Sequence, residues 1–171
     1  MEYTDSYMVK NMKILVLYYS STGNTRSLAE SIAEGVSEAG AEAVLRSTEE
    51  VTKNDFIECQ GVIAGSPVYF GTMAWPLKKV FDEFVTLRRQ GKSQGKVGAA
   101  FATAGHVNGG KETTMISIIQ ALLIYGMVIV GDPKDASGHY GVASTGAPDE
   151  QARADGKKLG KRVVSVAEKL F

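Results

Sequence analysis

Short apolar runs alternate with amphipathic stretches along most of this chain. The runs at 14–19 (ILVLYY), 43–45 (AVL), 62–65 (VIAG), 97–103 (VGAAFAT) and 127–130 (MVIV) are continuous rather than alternating, the pattern of strands buried on both faces. Between the first two, Leu28, Ala29, Ile32, Ala33 and Val36 recur at helical spacing, and Gly40 supplies a stop. A second helix is expected from Pro76, with Leu77, Val80, Phe81, Phe84 and Val85 on one face and Lys78, Lys79, Asp82 and Glu83 toward water. A third is expected over 111–125, with Met115, Ile118, Ile119, Leu122 and Leu123 inward and Gly126 at its end. A fourth follows Pro148, with Asp149 and Glu150 in its first turn and Lys169 in its last, as the helix dipole favours. Residues 130–147 show no helical pattern and read as an extended loop. Strands alternating with helices imply a parallel sheet covered on both faces by right-handed crossovers.

Composition narrows the picture. At 171 residues the chain fits one domain with a short tail, assigned as a tail over 1–12 and a folded domain over 13–171. The N-terminal MEYTDSYMVKNM is neither a secretory signal nor a membrane span. Lys plus Arg equals Asp plus Glu at 19 each, so no global field steers the chain toward nucleic acid or an anionic membrane. The lone Cys59 forms no internal disulfide and supplies no metal cluster; a cytoplasmic setting is the default, and no metal is expected.

The candidate chemistry lies where the first run ends. In an open α/β sheet, ligands bind beyond the carboxyl ends of the strands. There the chain reads SSTGNT, and turning into a helix leaves several N–H groups without helical partners at the positive end of the dipole. An anion suits that position. Ser20, Ser21, Thr22, Asn24 and Thr25 add side-chain donors, and Gly23 lets the backbone curl around a phosphate. These residues also suit an ordinary N-cap, and the stretch alone does not separate the two. It lacks the lysine of the nucleotide-triphosphate loop, and GKKLGKR (156–162) matches that loop only superficially, reading instead as the solvated face of the last helix. Two more strand ends, SPVYFGTMAWP and AGHVNGG, fall on the same edge. The first offers Pro67, Val68, Tyr69, Phe70 and Gly71, suited to a flat ring. The second offers amides and small residues for the polar edge of a heterocycle. Phosphate site beside flat-ring site describes a mononucleotide.

SSTGNT resembles the phosphate loop of flavodoxin-like proteins. Within that fold, LVLYYSSTGNT, GSPVYFGTM, TAGHVNGGKETT and YGMVIV together are similar to the WrbA-type NAD(P)H:quinone oxidoreductases. The resemblance implies a doubly wound five-stranded parallel sheet of order 2-1-3-4-5 with FMN at the switch point. It also implies that residues 20–25 hold the phosphate, that 67–71 flank the isoalloxazine, and that Thr103, Ala104, Gly105, His106, Asn108, Gly109 and Gly110 bind its edge. The implied function is electron transfer from NAD(P)H to a quinone or similar small acceptor. The alternatives are a flavodoxin-type electron carrier and a flavin-binding module without turnover. The chain departs from the family at Ile124 and Tyr125, where WrbA-type proteins carry a histidine pair, and in 87–96, which has no aromatic residue.

Three residues stand as catalytic candidates. His106 suits a hydrogen bond to the flavin or acceptor, or is a polar loop residue. His139, in the long 130–147 segment, is placed to fold over the crevice of its own or a neighbouring subunit. Tyr125 is either core or the replacement for a family histidine. A homodimer or homotetramer is expected, with Met73, Trp75 and Tyr140 at its contact.

Overall fold

The computed structural model describes residues 12–171; of the expected tail at 1–12, residues 1–11 lie outside the described residues. In chain order the elements are β1 (Lys13–Tyr18), α1 (Asn24–Glu38), β2 (Glu42–Ser47), α2 (Lys53–Glu58), β3 (Gly61–Tyr69), β4 (Thr72–Met73), α3 (Trp75–Glu83), α4 (Val85–Arg89), β5 (Val97–Ala104), α5 (Lys111–Ile124), β6 (Val128–Ile129), β7 (Val142–Thr145) and α6 (Glu150–Leu170). The sheet runs β2-β1-β3-β5-β6, and every pairing along that path is parallel. With the short β4 set aside as a hairpin partner of β3, this is the expected 2-1-3-4-5 order.

Two departures affect the ligand edge. The last sheet position is filled by two pieces: β6 pairs with Val97 and Gly98 at the start of β5, and β7 pairs with Phe101 through Ala104 at its end. The second piece lies inside the stretch expected to be loop. Its four residues, VAST, are too short for periodicity to separate from their surroundings. Helix α2 also went unread, although Thr52 and Asp55 form a reciprocal capping box that marks its start.

Alternate residues of the strands feed two cores, as a pleated backbone requires. Leu15, Leu17, Val62, Ala64, Ala100 and Ala102 meet α2, α3 and α5, while Ile14, Val16, Ile63, Ala99 and Phe101 meet α1 and α6. The expected inward set is corrected at two positions. Chain direction changes at Phe84, so α3 stops and α4 turns Leu87 inward and leaves Val85 38% exposed. Leu123 lies on the outer side of α5, 54% exposed.

The GKKLGKR stretch is only partly a solvated face. Gly156, Leu159 and Gly160 are buried where α6 crosses α1. A Cβ on Gly160 would lie 2.3 Å from the Ile32 carbonyl oxygen, and one on Gly35 would lie 2.1 Å from that of Lys157, so glycine on both helices permits the approach. The lysines do reach water, where Lys157 pairs with Glu34 at 2.8 Å and Lys161 with Glu38 at 2.7 Å.

Candidate functional site

The first loop leaves β1 at Tyr18 and enters α1 through Gly23, whose φ of 95° is left-handed and favours glycine. Ser20 Oγ accepts the Gly23 amide at 3.1 Å and tightens the turn. The amides of Ser21, Thr22, Asn24, Thr25 and Arg26 find no acceptor within the described residues, so the loop presents a row of donors at the positive end of α1. Ser21 and Thr22 are exposed, and Asn24 is half-buried. Thr25 is buried and its hydroxyl meets that of Thr103 at 2.8 Å, which joins the first loop to the end of β5.

The second segment is more regular than its sequence suggests. Strand β3 continues through Pro67 and Val68 to Tyr69, which pairs with Thr72 across a two-residue turn. Phe70 and Gly71 occupy that turn at φ 50° and 78°, the pair of positive values that matches strand twist in tight hairpins. Phe70 is the only described non-glycine residue at positive φ, and its side chain is fully exposed at 107%. Ser66 Oγ holds the base of the hairpin, accepting the Ala74 amide at 2.8 Å and donating to the Pro67 carbonyl at 2.7 Å. The Tyr69 hydroxyl meets Ser21 Oγ at 2.8 Å, and its ring packs edge-on to Tyr19 with centroids 6.2 Å apart.

In the third segment Thr103 and Ala104 are buried, whereas Gly105, His106 and Asn108 are exposed and Gly109 and Gly110 half-buried. The Gly109 amide closes a turn on the His106 carbonyl at 3.1 Å. Gly110 caps α5 at φ 98°, and a Cβ there would stand 3.2 Å from Gly71 Cα. All three predicted loops therefore meet: the first touches the second through Ser21 and Tyr69 and the third through Thr25 and Thr103, while the second and third meet backbone to backbone at Gly71 and Gly110. Three flanking residues were not singled out from sequence. Tyr19 packs on Tyr69, Arg26 borders a cavity of about 360 Å³ beside Gly23 and Glu50, and Lys111 Nζ donates to Thr145 Oγ1 at 2.9 Å. Their only sequence signal is adjacency to a glycine-containing turn.

The catalytic candidates fare differently. His106 sits at the exposed tip of the third loop, on the crevice edge. Tyr125 does not come to the crevice: it ends α5 at the opposite edge of the sheet and donates to the Phe81 carbonyl at 2.6 Å. Burial pushes its hydroxyl up to about 12, so it acts as a hydrogen-bonded core residue. Ile124 shares that edge and is 67% exposed. His139 lies where the insertion between β6 and β7 closes on itself beside Gly131, next to Gly141, which abuts the Ala100 carbonyl midway along β5. The insertion is tied to its own α6. Asp155, 1% exposed, accepts both the amide (3.1 Å) and the hydroxyl (2.5 Å) of Ser137, and Gly138 donates to Asp132 at 2.9 Å. Burial works against the Asp155 charge, but the bonds from Ser137 and Gln151 and the nearby Lys158 outweigh it and hold the carboxyl below its usual range. Cys59 is buried, which pushes its thiol up to about 11 and leaves it unreactive. No helix among the described residues is long and apolar enough to cross a membrane.

A parallel sheet of this order with three loops meeting at its switch point defines the flavodoxin-like class. The chain belongs to the flavodoxin family, which it matches over residues 16–138. It is 36% identical to a protein of Archaeoglobus fulgidus named NAD(P)H dehydrogenase (quinone), over 92% of this chain and 98% of that one. It is also 35% identical to a protein of Aquifex aeolicus named Flavodoxin, over 88% and 84% of the two chains. Among solved structures, a WrbA-like flavodoxin from Agrobacterium tumefaciens superposes with a TM-score of 0.83, covering 94% of this chain and all 100% of that one. At 23% identity this is a likeness of fold.

Proposed function

We propose that this protein binds FMN across the three loops and passes electrons from NAD(P)H to a quinone or similar small acceptor. The observation that carries the reading is the junction of the loops at one strand edge, with bare amides at 21, 22 and 24–26 and close backbone approach at Gly71 and Gly110. The residues fit the cofactor: a donor-rich, cation-free turn suits a phosphate, and a hairpin ending in Tyr69 and Phe70 suits a flat ring. FMN, when bound, supplies the redox chemistry. The chain's own residues do the rest. The amides at 21, 22 and 24–26, with the hydroxyls of Ser20 and Thr22, grip the phosphate. The Thr25–Thr103 bond holds the first and third loops at a fixed separation. The hairpin would exclude water from one side of the ring, and the glycine-rich loop at 104–110 would present amides to its edge while leaving room for a donor and an acceptor in turn.

The activity assignment is supported by relatives named NAD(P)H dehydrogenase (quinone), of which the Archaeoglobus protein is matched over 98% of its length. The second reading, an electron carrier that docks on redox proteins, is favoured by the relative named Flavodoxin. NAD(P)H oxidation by FMN-loaded protein, with and without benzoquinone, separates them. Quinone-dependent turnover supports the oxidoreductase, and its absence in protein that still binds FMN stoichiometrically returns the carrier.

A further inference from the structure

Two cavities flank the segment that follows β2. One, of about 360 Å³, lies between that segment and the first loop, with Ser20, Gly23 and Arg26 on its walls. The other, of about 530 Å³, lies between the same segment and the start of α3, with Trp75, Pro76 and Glu83 on its walls. Tyr19, Thr48 and Glu49 line both, so the two form one trough of the size that small ligands occupy. The trough also adjoins both sides of the crevice, because Ser20 and Gly23 belong to the first loop and Tyr19 packs on Tyr69 of the hairpin. Its charged groups are unevenly engaged. Glu50 accepts the amide and the hydroxyl of Ser47, at 3.0 and 2.8 Å. Glu83 pairs with Lys79 at 3.6 Å, and Lys79 Nζ stands 5.9 Å from the centre of the Trp75 ring, most of which is open at 70% exposure. Arg26 gives Nε to Glu30 at 2.9 Å and keeps its two Nη groups. Of the trough's three carboxylates, Glu49 alone has no partner among the described residues.

We propose that this trough seats the adenosine end of the hydride donor, and that Glu49 makes that donor NADH rather than NADPH. The inference rests on the reading of the protein as an oxidoreductase that takes electrons from a nicotinamide nucleotide. Such a donor has two ends. Its nicotinamide must meet the flavin ring in the crevice, so its adenosine needs a second seat beside the crevice. The side chains of the trough follow the order of the ligand. At one end Arg26 offers free N–H groups to the pyrophosphate. At the junction of the two cavities Glu49 is free to accept from the ribose hydroxyls. At the other end the open face of Trp75 suits the adenine. In other α/β sheets an acidic side chain of this kind accepts from the ribose 2′-hydroxyl, and an arginine takes its place where a 2′-phosphate is carried. Here the position is acidic. A 2′-phosphate would be set against Glu49, Glu50 and Glu83, while Arg26 and Lys79 each already answer a carboxylate.

Steady-state oxidation of NADH and of NADPH by FMN-loaded protein, with benzoquinone as acceptor, tests the preference, and Trp75 emission tests the seat. Wild type is expected to favour NADH roughly 30-fold in kcat/KM. Glu49→Gln should cut the preference to about fivefold or less, and Glu49→Arg should reverse it. Glu49 is exposed, so both variants are expected to fold. The chain has one tryptophan, so its emission reports on this trough without any turnover. Adenosine 5′-monophosphate should change that emission saturably, and adenosine 2′,5′-bisphosphate should require roughly tenfold higher concentration. Equal use of the two donors by wild type, an undiminished preference in Glu49→Gln, or Trp75 emission indifferent to adenosine 5′-monophosphate would overturn the proposal. FMN-loaded protein that oxidises neither nucleotide would overturn the activity reading and this inference together.

Discussion

Phe70 is held in a conformation that costs free energy and returns no burial. Its φ of 50° is left-handed, worth about 1–2 kcal/mol for an ordinary side chain, and its ring, at 107% exposure, shields nothing within the chain. Asparagine tolerates this region far better, because its short polar side chain bonds locally. Phe70→Asn should therefore stabilise the FMN-free protein by about 1 kcal/mol, a rise in Tm of about 2–4 °C for a chain of this size. If the ring covers the isoalloxazine, the same change removes one aromatic contact and should weaken FMN binding by about 1–2 kcal/mol, about 5- to 30-fold. Stability and affinity thus move in opposite directions under one substitution. Urea denaturation of FMN-free protein measures the first, and fluorescence titration with FMN measures the second. A mutant less stable than wild type would show that the turn is not strained. Unchanged FMN affinity would remove Phe70 from the ring site.

Three further outcomes are expected. Thr22→Val, which keeps the shape of an exposed side chain and deletes its hydroxyl, should weaken FMN binding by about 1.5–3 kcal/mol while riboflavin, lacking the phosphate, binds as to wild type; equal losses for both ligands would return Thr22 to a capping role. Asp155 has a carboxyl lowered in the folded protein, so its contribution is complete above the ordinary carboxylate value of about 4 and is lost as pH falls through the lowered one. Asp155→Ala should then cost about 1.5–3 kcal/mol in urea denaturation at pH 7, and much less at acid pH; a pH-independent loss would mean that charge is irrelevant there. Gly160→Ala should cost roughly 3 kcal/mol, since the new methyl meets the Ile32 carbonyl and the Val36 amide, both backbone, and a wild-type Tm would show that α1 and α6 separate freely.

The continuous apolar runs disclosed β1, β3 and β5 because those strands are buried on both faces, and the helical spacing from Leu28 to Val36 and from Met115 to Leu122 placed α1 and α5. The edge of the sheet was harder to read. In β7 four residues satisfy their backbone by pairing with β5, and no side-chain pattern announces that partner. The convergence of the three loops was legible because strand direction alone dictates it. The bonds that lock them, Thr25 to Thr103 and Ser21 to Tyr69, span 78 and 48 residues and could not be read locally. Tyr125 was open between core and chemistry. Its position beside a family motif suggested chemistry, and only the Phe81 carbonyl beneath it assigns it to the core.

The divided last position of the sheet makes part of this fold separable. Because β6 is registered on the start of β5 and β7 on its end, each fragment keeps its alignment without help from the other. The twelve residues between Ile129 and Val142 are anchored on β5 at their two ends, Val130 to the Gly98 carbonyl and Gly141 against that of Ala100, and between those ends are joined to the body at Asp155 and Lys158. Such a place is a natural port for change: sequence can be lengthened, shortened or replaced by a whole module near Lys134 while Thr103 and its neighbours stay where they are.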